Sequence, residues 1–374
     1  MSVDARVPAA EALPPMDTAS RLDRLRDRFA VEELDALIVT HLPNVRYLTG
    51  FTGSAGVLVV RPDSAVLVTD GRYGDQAAQQ LADAGGAAEV VVENVAQPAR
   101  IVAAAGDAAR VGLESDHLSW ADATAYVERH LSSVEVVATT GQVEALRLVK
   151  DAGEVARIHR AARIADAALA EVRPLLGSSP SEREFGLELD TAMRRLGAAD
   201  VSFETIVASG PNGARPHHRP SDRTIVEGDL VVLDFGALVD GYHSDMTRTI
   251  AVGALSSMQE RMVEVVTEAQ AAGVAAVRAG VTAAEVDAAC RGVIDAAGWG
   301  DAFTHGTGHG VGLDIHEAPR VGRSSGDTLA AGHVVTVEPG VYLHPHGGVR
   351  VEDTLLVEAD GSTTLTSTPK STTI

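Results

Sequence analysis

Residues 229–253 read DLVVLDFGALVDGYHSDMTRTIAVG. Two β-rich runs flank Asp240-Gly241, a dipeptide that accepts positive φ at both positions and so favours a two-residue type I′ hairpin. That turn sets Val239 opposite Tyr242, and the same register sets Asp234 opposite Thr247. Asp245 lies two residues along from Thr247, so both aspartates share a face as diagonal neighbours, roughly 7–8 Å apart at Cα. VVLDF is apolar on both sides of Asp234, which argues against a fully exposed hairpin. Two carboxylates on a mostly apolar face repel each other unless a cation lies between them or one is protonated. A divalent metal ion meets that need; two solvent-facing acids are the plainer alternative.

The neighbouring stretches supply further ligands. HGTGHGVGLDIHEAP (305–319) holds His305, His309 and His316 among Gly306, Gly308, Gly310 and Gly312. Glycine allows close backbone approach, and imidazole is both a metal ligand and a proton shuttle. HVVTVEPGVYL (333–343) sets Glu338 at the end of an apolar strand, where a glutamate is rarely buried without a partner. GGVRVEDTLLVEADG (347–361) puts Glu352 in a further strand with Arg350 on the same face; Asp353 points the other way and reads as structural. SFETIVASGPNGARPHHRPSDR (202–223) carries His217 and His218 in a Pro- and Gly-rich loop, where histidines are mostly solvated. Two aspartates, one central histidine and two glutamates form a set of hard oxygens with one nitrogen. It suits Mn²⁺, Co²⁺ or Zn²⁺ better than a thiolate site would, and it is richer in carboxylates than one zinc ion requires, which points to two ions.

The 374 residues exceed what one core usually accommodates, so two domains are expected. Residues 1–18 read as a flexible leader, 19–145 as an α/β domain and 146–374 as the domain with the ligand candidates. In the first domain RLDRLRDRFAVEEL, from Arg21, has helical spacing. DALIVT, GVLVV, AVLVT, ARVGLES and VEVVAT are short strands, and a helix starts at Ser119. In the second domain capping boxes are expected at Asp151/Glu154, Ser181/Glu184, Ser257/Glu260 and Thr282/Glu285. The order helix, helix, strands, helix, helix, strands suggests an internally duplicated α+β unit.

A hydrophobic fraction of 45% marks an ordinary folded chain. A net charge of −21 repels phosphate backbones and anionic lipid, which argues against nucleic-acid and membrane partners. No run approaches the roughly 20 apolar residues of a membrane helix, and the N-terminus lacks the apolar region of a signal peptide. The single cysteine, Cys290 in VDAACRG, reads as a buried small hydrophobe and is consistent with a reducing compartment. The cytoplasm is the expected location.

Asp234 in LDFG, Asp245 in SDMTRT, His309 in HGTGHGVGLDIHE, Glu338 in VEPGVY and Glu352 in GGVRVEDT resemble, in order, the metallopeptidase family of methionine aminopeptidase, aminopeptidase P and prolidase. NVRYLTGFTGS, from Asn44, resembles the creatinase-type N-terminal domain, which methionine aminopeptidases lack. The resemblance implies an α/β creatinase-like N-terminal domain followed by an α+β pita-bread catalytic domain with a pseudo-twofold duplication. It implies two divalent ions, Mn²⁺ before Co²⁺ or Zn²⁺, held by Asp234, Asp245, His309, Glu338 and Glu352, with Asp245 and Glu352 shared between them. It implies Glu338 as proton carrier, His217 and His316 as catalytic histidines, and His305 and Arg350 as supporting residues. His218, directly after His217, leaves open which of the two faces the substrate. The implied reaction is hydrolysis of the peptide bond preceding proline, in Xaa-Pro dipeptides or at the N-terminus of longer peptides, by a homodimer. The X–Pro amide is tertiary and has no N–H, so a dedicated site has a physical rationale. A creatinase-like C–N hydrolase is the enzymatic alternative, although creatinase works without metal and lacks the full ligand set. A non-catalytic binding protein is disfavoured, because such relatives have usually lost ligands.

Overall fold

The computed structural model describes residues 12–372, in two compact units: 15–147, and 148–372 together with 12–14. Of the expected leader, residues 1–11 lie outside the described residues. Leu13 packs on the core of the second unit, and the Pro14 carbonyl accepts from Arg157.

The first unit is built on six strands: β1 (Ala36–Val39), β2 (Gly56–Val60), β3 (Ala65–Thr69), β4 (Glu89–Val92), β5 (Arg110–Glu114) and β6 (Glu135–Thr139). They lie in the order β4-β3-β2-β1-β5-β6. β1 and the β2–β3 hairpin pair antiparallel, while β4, β5 and β6 join in parallel. The helices are α1 (Arg21–Glu32), α2 (Leu42–Thr49), α3 (Gly74–Asp83), α4 (Gln97–Ala105), α5 (Trp120–Ala125) and α6 (Glu144–Arg147). Central β1 is buried along its whole length, so its run ALIV is continuous rather than alternating. Strand β4 and helices α2 to α4 carry fainter signals, because they are short or lie at the sheet edge with few large apolar residues.

In the second unit, α7 (Ala152–Val172) and α8 (Glu182–Arg195) precede one block of strands. These are β7 (Asp200–Val201), β8 (Ile206–Ser209), β9 (Leu230–Phe235), β10 (Ala237–Val239), β11 (Tyr242–His243) and β12 (Met246–Ala251). Helices α9 (Ser257–Ala276) and α10 (Ala283–Ala296) precede the other. It contains β13 (Gly308–Gly310), β14 (Glu317–Val321), β15 (Val334–Val337), β16 (Gly340–Leu343), β17 (Gly347–Arg350), β18 (Asp353–Val357) and β19 (Ser362–Thr364). Asp151, Ser181 and Thr282 form the expected capping boxes with Glu154, Glu184 and Glu285. For α9 the box is Ser256 with Gln259, one residue earlier than expected. Gln259 is anchored by donating to the Gly228 carbonyl, so its side chain is the one placed to reach back.

The two halves share a pattern. Ser181, the cap of α8, bridges Thr224, and Thr282, the cap of α10, bridges Thr328. Asp234 lies near the end of β9, and Glu338 lies just past β15. Asp245 immediately precedes β12, and Glu352 immediately precedes β18. These are the correspondences a duplicated unit would produce. Each half has its own apolar core, one around Leu169, Phe185, Leu233 and Phe235, the other around Val266, Cys290, Val337 and Leu355. Helices α9 and α10 meet closely at Gly273, where a Cβ would sit 2.2 Å from Cys290 Sγ. Burial pushes the Cys290 thiol up to about 12, consistent with a packing role. Among the described residues, no helix is long and apolar enough to cross a membrane.

Candidate functional site

The hairpin closes as its dipeptide predicts. Asp240 has φ 47° and Gly241 has φ 76°, and Val239 faces Tyr242. The register runs on past Gly236, between β9 and β10, and sets Thr247 opposite Asp234. A Cβ at Gly236 would lie 1.9 Å from the Ser244 carbonyl oxygen, so this approach requires glycine.

Asp234 and Asp245 share the wall of a cavity of about 850 Å³ with His217, His218, His305, His309, His316, Glu338, Arg350 and Glu352. All the expected site residues are therefore brought together. His309 Nε2 lies 3.5 Å from both Asp245 Oδ2 and Glu338 Oε1. Ligand atoms of Asp245, His309 and Glu352 lie within 4.8 Å of one another. Arg350 donates to Asp234 Oδ2 at 2.5 Å and to Thr247 Oγ1 at 3.0 Å, and Thr247 donates to Glu352 Oε2 at 2.7 Å.

These contacts use one oxygen of each acid and leave the other. Asp234 Oδ1, Asp245 Oδ1 and Glu352 Oε1 are buried and have no hydrogen-bond partner among the described residues. Burial, reinforced by neighbouring carboxylates, holds Asp245 and Glu352 well above the usual carboxylate range. Burial pushes Glu338 up to about 8. Burial also pulls His309 down to about 4, so its imidazole is neutral near pH 7. Its Nδ1 is 3.0 Å from the Gly310 carbonyl, a partner that would hold the ring proton there and leave Nε2 free to ligate. Orphaned buried carboxylate oxygens beside a neutral imidazole fit divalent metal ions, which satisfy the oxygens and reverse the upward pKa shifts.

The surrounding residues divide into two groups. His316 stacks edge-on to His309, with ring centroids 4.4 Å apart. His305 Nε2 lies 2.8 Å from the Tyr342 hydroxyl, which also accepts from Arg350 at 2.8 Å; burial pulls His305 down to about 4. A chain of contacts thus runs from His305 through Tyr342 and Arg350 to Asp234. On the other side, His218 Nε2 lies 2.9 Å from Glu182 Oε2, while His217 is exposed on the cavity wall. Glu182 is fully buried and also accepts from Ser209, Asn212 and Ser221. Burial alone would raise its pKa, but hydrogen bonds from Ser221, Ser209 and Asn212 hold it at about 2. The loop bearing both histidines is folded around this one carboxylate.

One expectation fails locally. Glu352 does not share a strand with Arg350, because β17 ends at Arg350 and β18 begins at Asp353. The chain crosses there from the β16–β17 pair to the sheet of β15, and Glu352 N donates instead to the Thr247 carbonyl. Asp353 is buried outside the cavity wall and pairs with Arg248 at 2.8 Å. Sequence reasoning missed Glu182, Thr247, Tyr342 and Arg320. Glu182 looks like an ordinary first-turn acid, and Thr247 and Tyr342 look like strand residues. Arg320, four positions after His316, lines the cavity and could have been suspected from that spacing alone.

Residues 156–359 match the model of metallopeptidase family M24, and residues 21–149 match that of the creatinase/prolidase N-terminal domain. An uncharacterized peptidase, YqhT, of Bacillus subtilis is 40% identical over 94% of this chain and 98% of its own length. A solved Xaa-Pro dipeptidase from Bacillus anthracis aligns with TM-score 0.91 and 39% identity, covering 96% of this chain and all of that one. A solved X-Pro aminopeptidase from Thermotoga maritima aligns with TM-score 0.85 and 30% identity, covering 94% of this chain and 99% of that one.

Proposed function

This chain belongs to metallopeptidase family M24, and from that premise we propose that it hydrolyses the peptide bond preceding proline, using two divalent ions held by Asp234, Asp245, His309, Glu338 and Glu352. The observation that carries the proposal is the charge at the site: four buried or half-buried carboxylates face one guanidinium, with three of their oxygens orphaned. One dication would leave that cluster negative, whereas two overcome it. Bound there, the ions would lower the pKa of water and polarise the scissile carbonyl.

The chain's own residues supply the rest. Glu338, which lines the cavity 3.5 Å from His309 Nε2, is the group to take a proton from the attacking water and pass it to the proline nitrogen. That nitrogen belongs to a tertiary amide and must be protonated to leave. His217 and His316 line the cavity where they can donate to the carbonyl oxygen as it gains charge. His305 and Tyr342 steady Arg350, and Arg350 steadies Asp234. Arg320 suits the C-terminal carboxylate of a short substrate, which favours dipeptides over longer peptides. The solved Xaa-Pro dipeptidase and X-Pro aminopeptidase support the preference for proline. Manganese as the working metal, a homodimer and a cytoplasmic location complete the proposal.

The test compares Ala-Pro, Ala-Pro-Ala and creatine as substrates, with manganese, cobalt and zinc in turn. Ala-Pro should be cleaved fastest, only with metal present, and creatine should be left intact. Turnover of creatine but of neither peptide, or full peptide turnover after chelation, would overturn the proposal.

A further inference from the structure

The residues directly after one hydroxyl and one acid of the site turn away from the cavity. Arg248 follows Thr247, and Asp353 follows Glu352; both are buried, and neither lines the cavity. Arg248 donates to the main-chain oxygens of Thr247 and Glu352, to Asp353 Oδ1 at 2.8 Å and to the Thr368 carbonyl at 2.6 Å. Asp353 also accepts from Thr366 Oγ1 at 2.8 Å, Gln270 Nε2 at 2.9 Å and Lys370 Nζ at 2.7 Å. Asp166, on α7, accepts from the backbone N–H and the hydroxyl of both Ser367 and Thr368, at 2.6–2.8 Å.

Residues 366–370 are therefore held from both halves of the unit: Asp166 and Arg248 belong to the first, Gln270 and Asp353 to the second. The acids of the site are divided the same way, with Asp234 and Asp245 in the first half and Glu338 and Glu352 in the second. A segment that was merely packed against the surface would not need two buried ionic groups, which are costly unless fully paired. The pairing here also grips the main chain at Glu352 and at Thr247, whose hydroxyl holds the Glu352 carboxylate.

We infer that residues 366–370 form a strap that sets the spacing of Asp245 and Glu352, with Lys370, Asp353 and Arg248 as positioning residues. The inference rests on the proposal that these acids hold divalent ions. The Lys370 side chain is partly exposed, so removing it takes away one charge and two contacts, to Asp353 Oδ2 and Gln270 Oε1 at 2.7 Å each, without opening a cavity.

Manganese binding to the full-length Lys370→Ala protein, measured calorimetrically, is the test. Binding should weaken about tenfold, the size of effect typical of residues that orient metal ligands. Lys370→Arg should restore most of it, and the far-ultraviolet circular dichroism should not change. A Thr366→Val, Lys370→Ala double variant should bind still more weakly. Affinity within twofold of wild type in both variants, with only the melting temperature lowered, would reduce the segment to a stability element and overturn the inference. A wild-type protein that binds no divalent ion at all would instead remove the metal site on which it rests.

Discussion

Arg350 Nη2 donates to Asp234 Oδ2 at 2.5 Å, while Nη1 of the same guanidinium donates to the Tyr342 hydroxyl at 2.8 Å. Nε reaches Thr247 Oγ1 at 3.0 Å, so one planar group fixes three residues around the site. The Asp234, Tyr342 and Glu338 neighbours hold Arg350 firmly charged in spite of its burial. Arg350→Met should leave Asp234 without its cation and lower kcat roughly 10²-fold, an effect of the size seen when a preorganised donor is removed. Arg350→Lys should recover little, because an ammonium cannot serve the three partners in that fork geometry. A lysine variant with wild-type kcat would show that charge alone suffices.

Removing metal should make stability depend on pH in a defined direction. Asp245, Glu338 and Glu352 are all raised in the folded protein, Glu338 to about 8. A raised acid stabilises the fold below its ordinary value, and that contribution is lost as pH rises through the folded value. Chelated protein should therefore melt at a lower temperature at pH 8 than at pH 6, and saturating manganese should remove most of the difference. Equal melting temperatures for the chelated protein at both values would contradict this electrostatic picture.

Asp245→Asn should separate stability from function. The amide removes one of the mutually repelling charges, so the chelated variant should melt several degrees above chelated wild type at pH 8, each kcal/mol being worth about 2–4 °C for a unit the size of the one that bears Asp245. The same variant should lose peptide turnover and bind manganese much more weakly. Thermal scans with and without chelator, run beside a calorimetric titration, read both effects.

The two loop histidines should differ. His217 is exposed to the cavity, whereas His218 is tied to Glu182. His217→Ala should lower kcat roughly 10²-fold at unchanged manganese affinity, within the range for a proton-transfer or oxyanion group. His218→Ala should act mainly on KM, by loosening the loop. The reverse assignment of kcat and KM effects would place His218 at the substrate.

Glu182 gives a prediction at acid pH. Its folded value of about 2 lies below its ordinary 4.5, so its stabilisation is present above 4.5 and is lost as pH falls toward 2. Glu182→Gln should cost about 1–3 kcal/mol at pH 7, because buried donors lose a charged acceptor. Urea titrations of both proteins should converge as pH is lowered below 4. A constant gap between them would mean that the carboxylate charge is irrelevant to the loop.

Much of the site was legible because its information is local. Asp240-Gly241 favours one kind of tight turn, and that turn fixes the pairing of Asp234 with Thr247 six positions away. The apolar runs around Asp234 and Glu338 are in themselves evidence that these acids are buried. Capping boxes are four-residue patterns, and the error at Ser256 arose because two adjacent serines both satisfy the pattern. What could not be read depends on tertiary placement. Nothing in the run EREFGLELD marks Glu182 as the centre of a loop that begins 27 residues later. The break between Arg350 and Glu352 was invisible because a change of sheet leaves the alternation of residues intact. Arg248 and Asp353 look like ordinary polar strand residues until the C-terminal segment is seen across them.

Each apolar core reaches a strand end that carries one of the acids. Phe235 anchors one beside Asp234, and Val337 anchors the other beside Glu338; both are fully buried and away from the cavity. A change of side-chain volume at either position would shift the strand end that carries the neighbouring acid and so alter how the acids converge. Descendants of this enzyme could thus drift toward a different metal or scissile bond while every polar residue of the catalytic centre stayed the same. An inventory of those polar residues would count such descendants as identical.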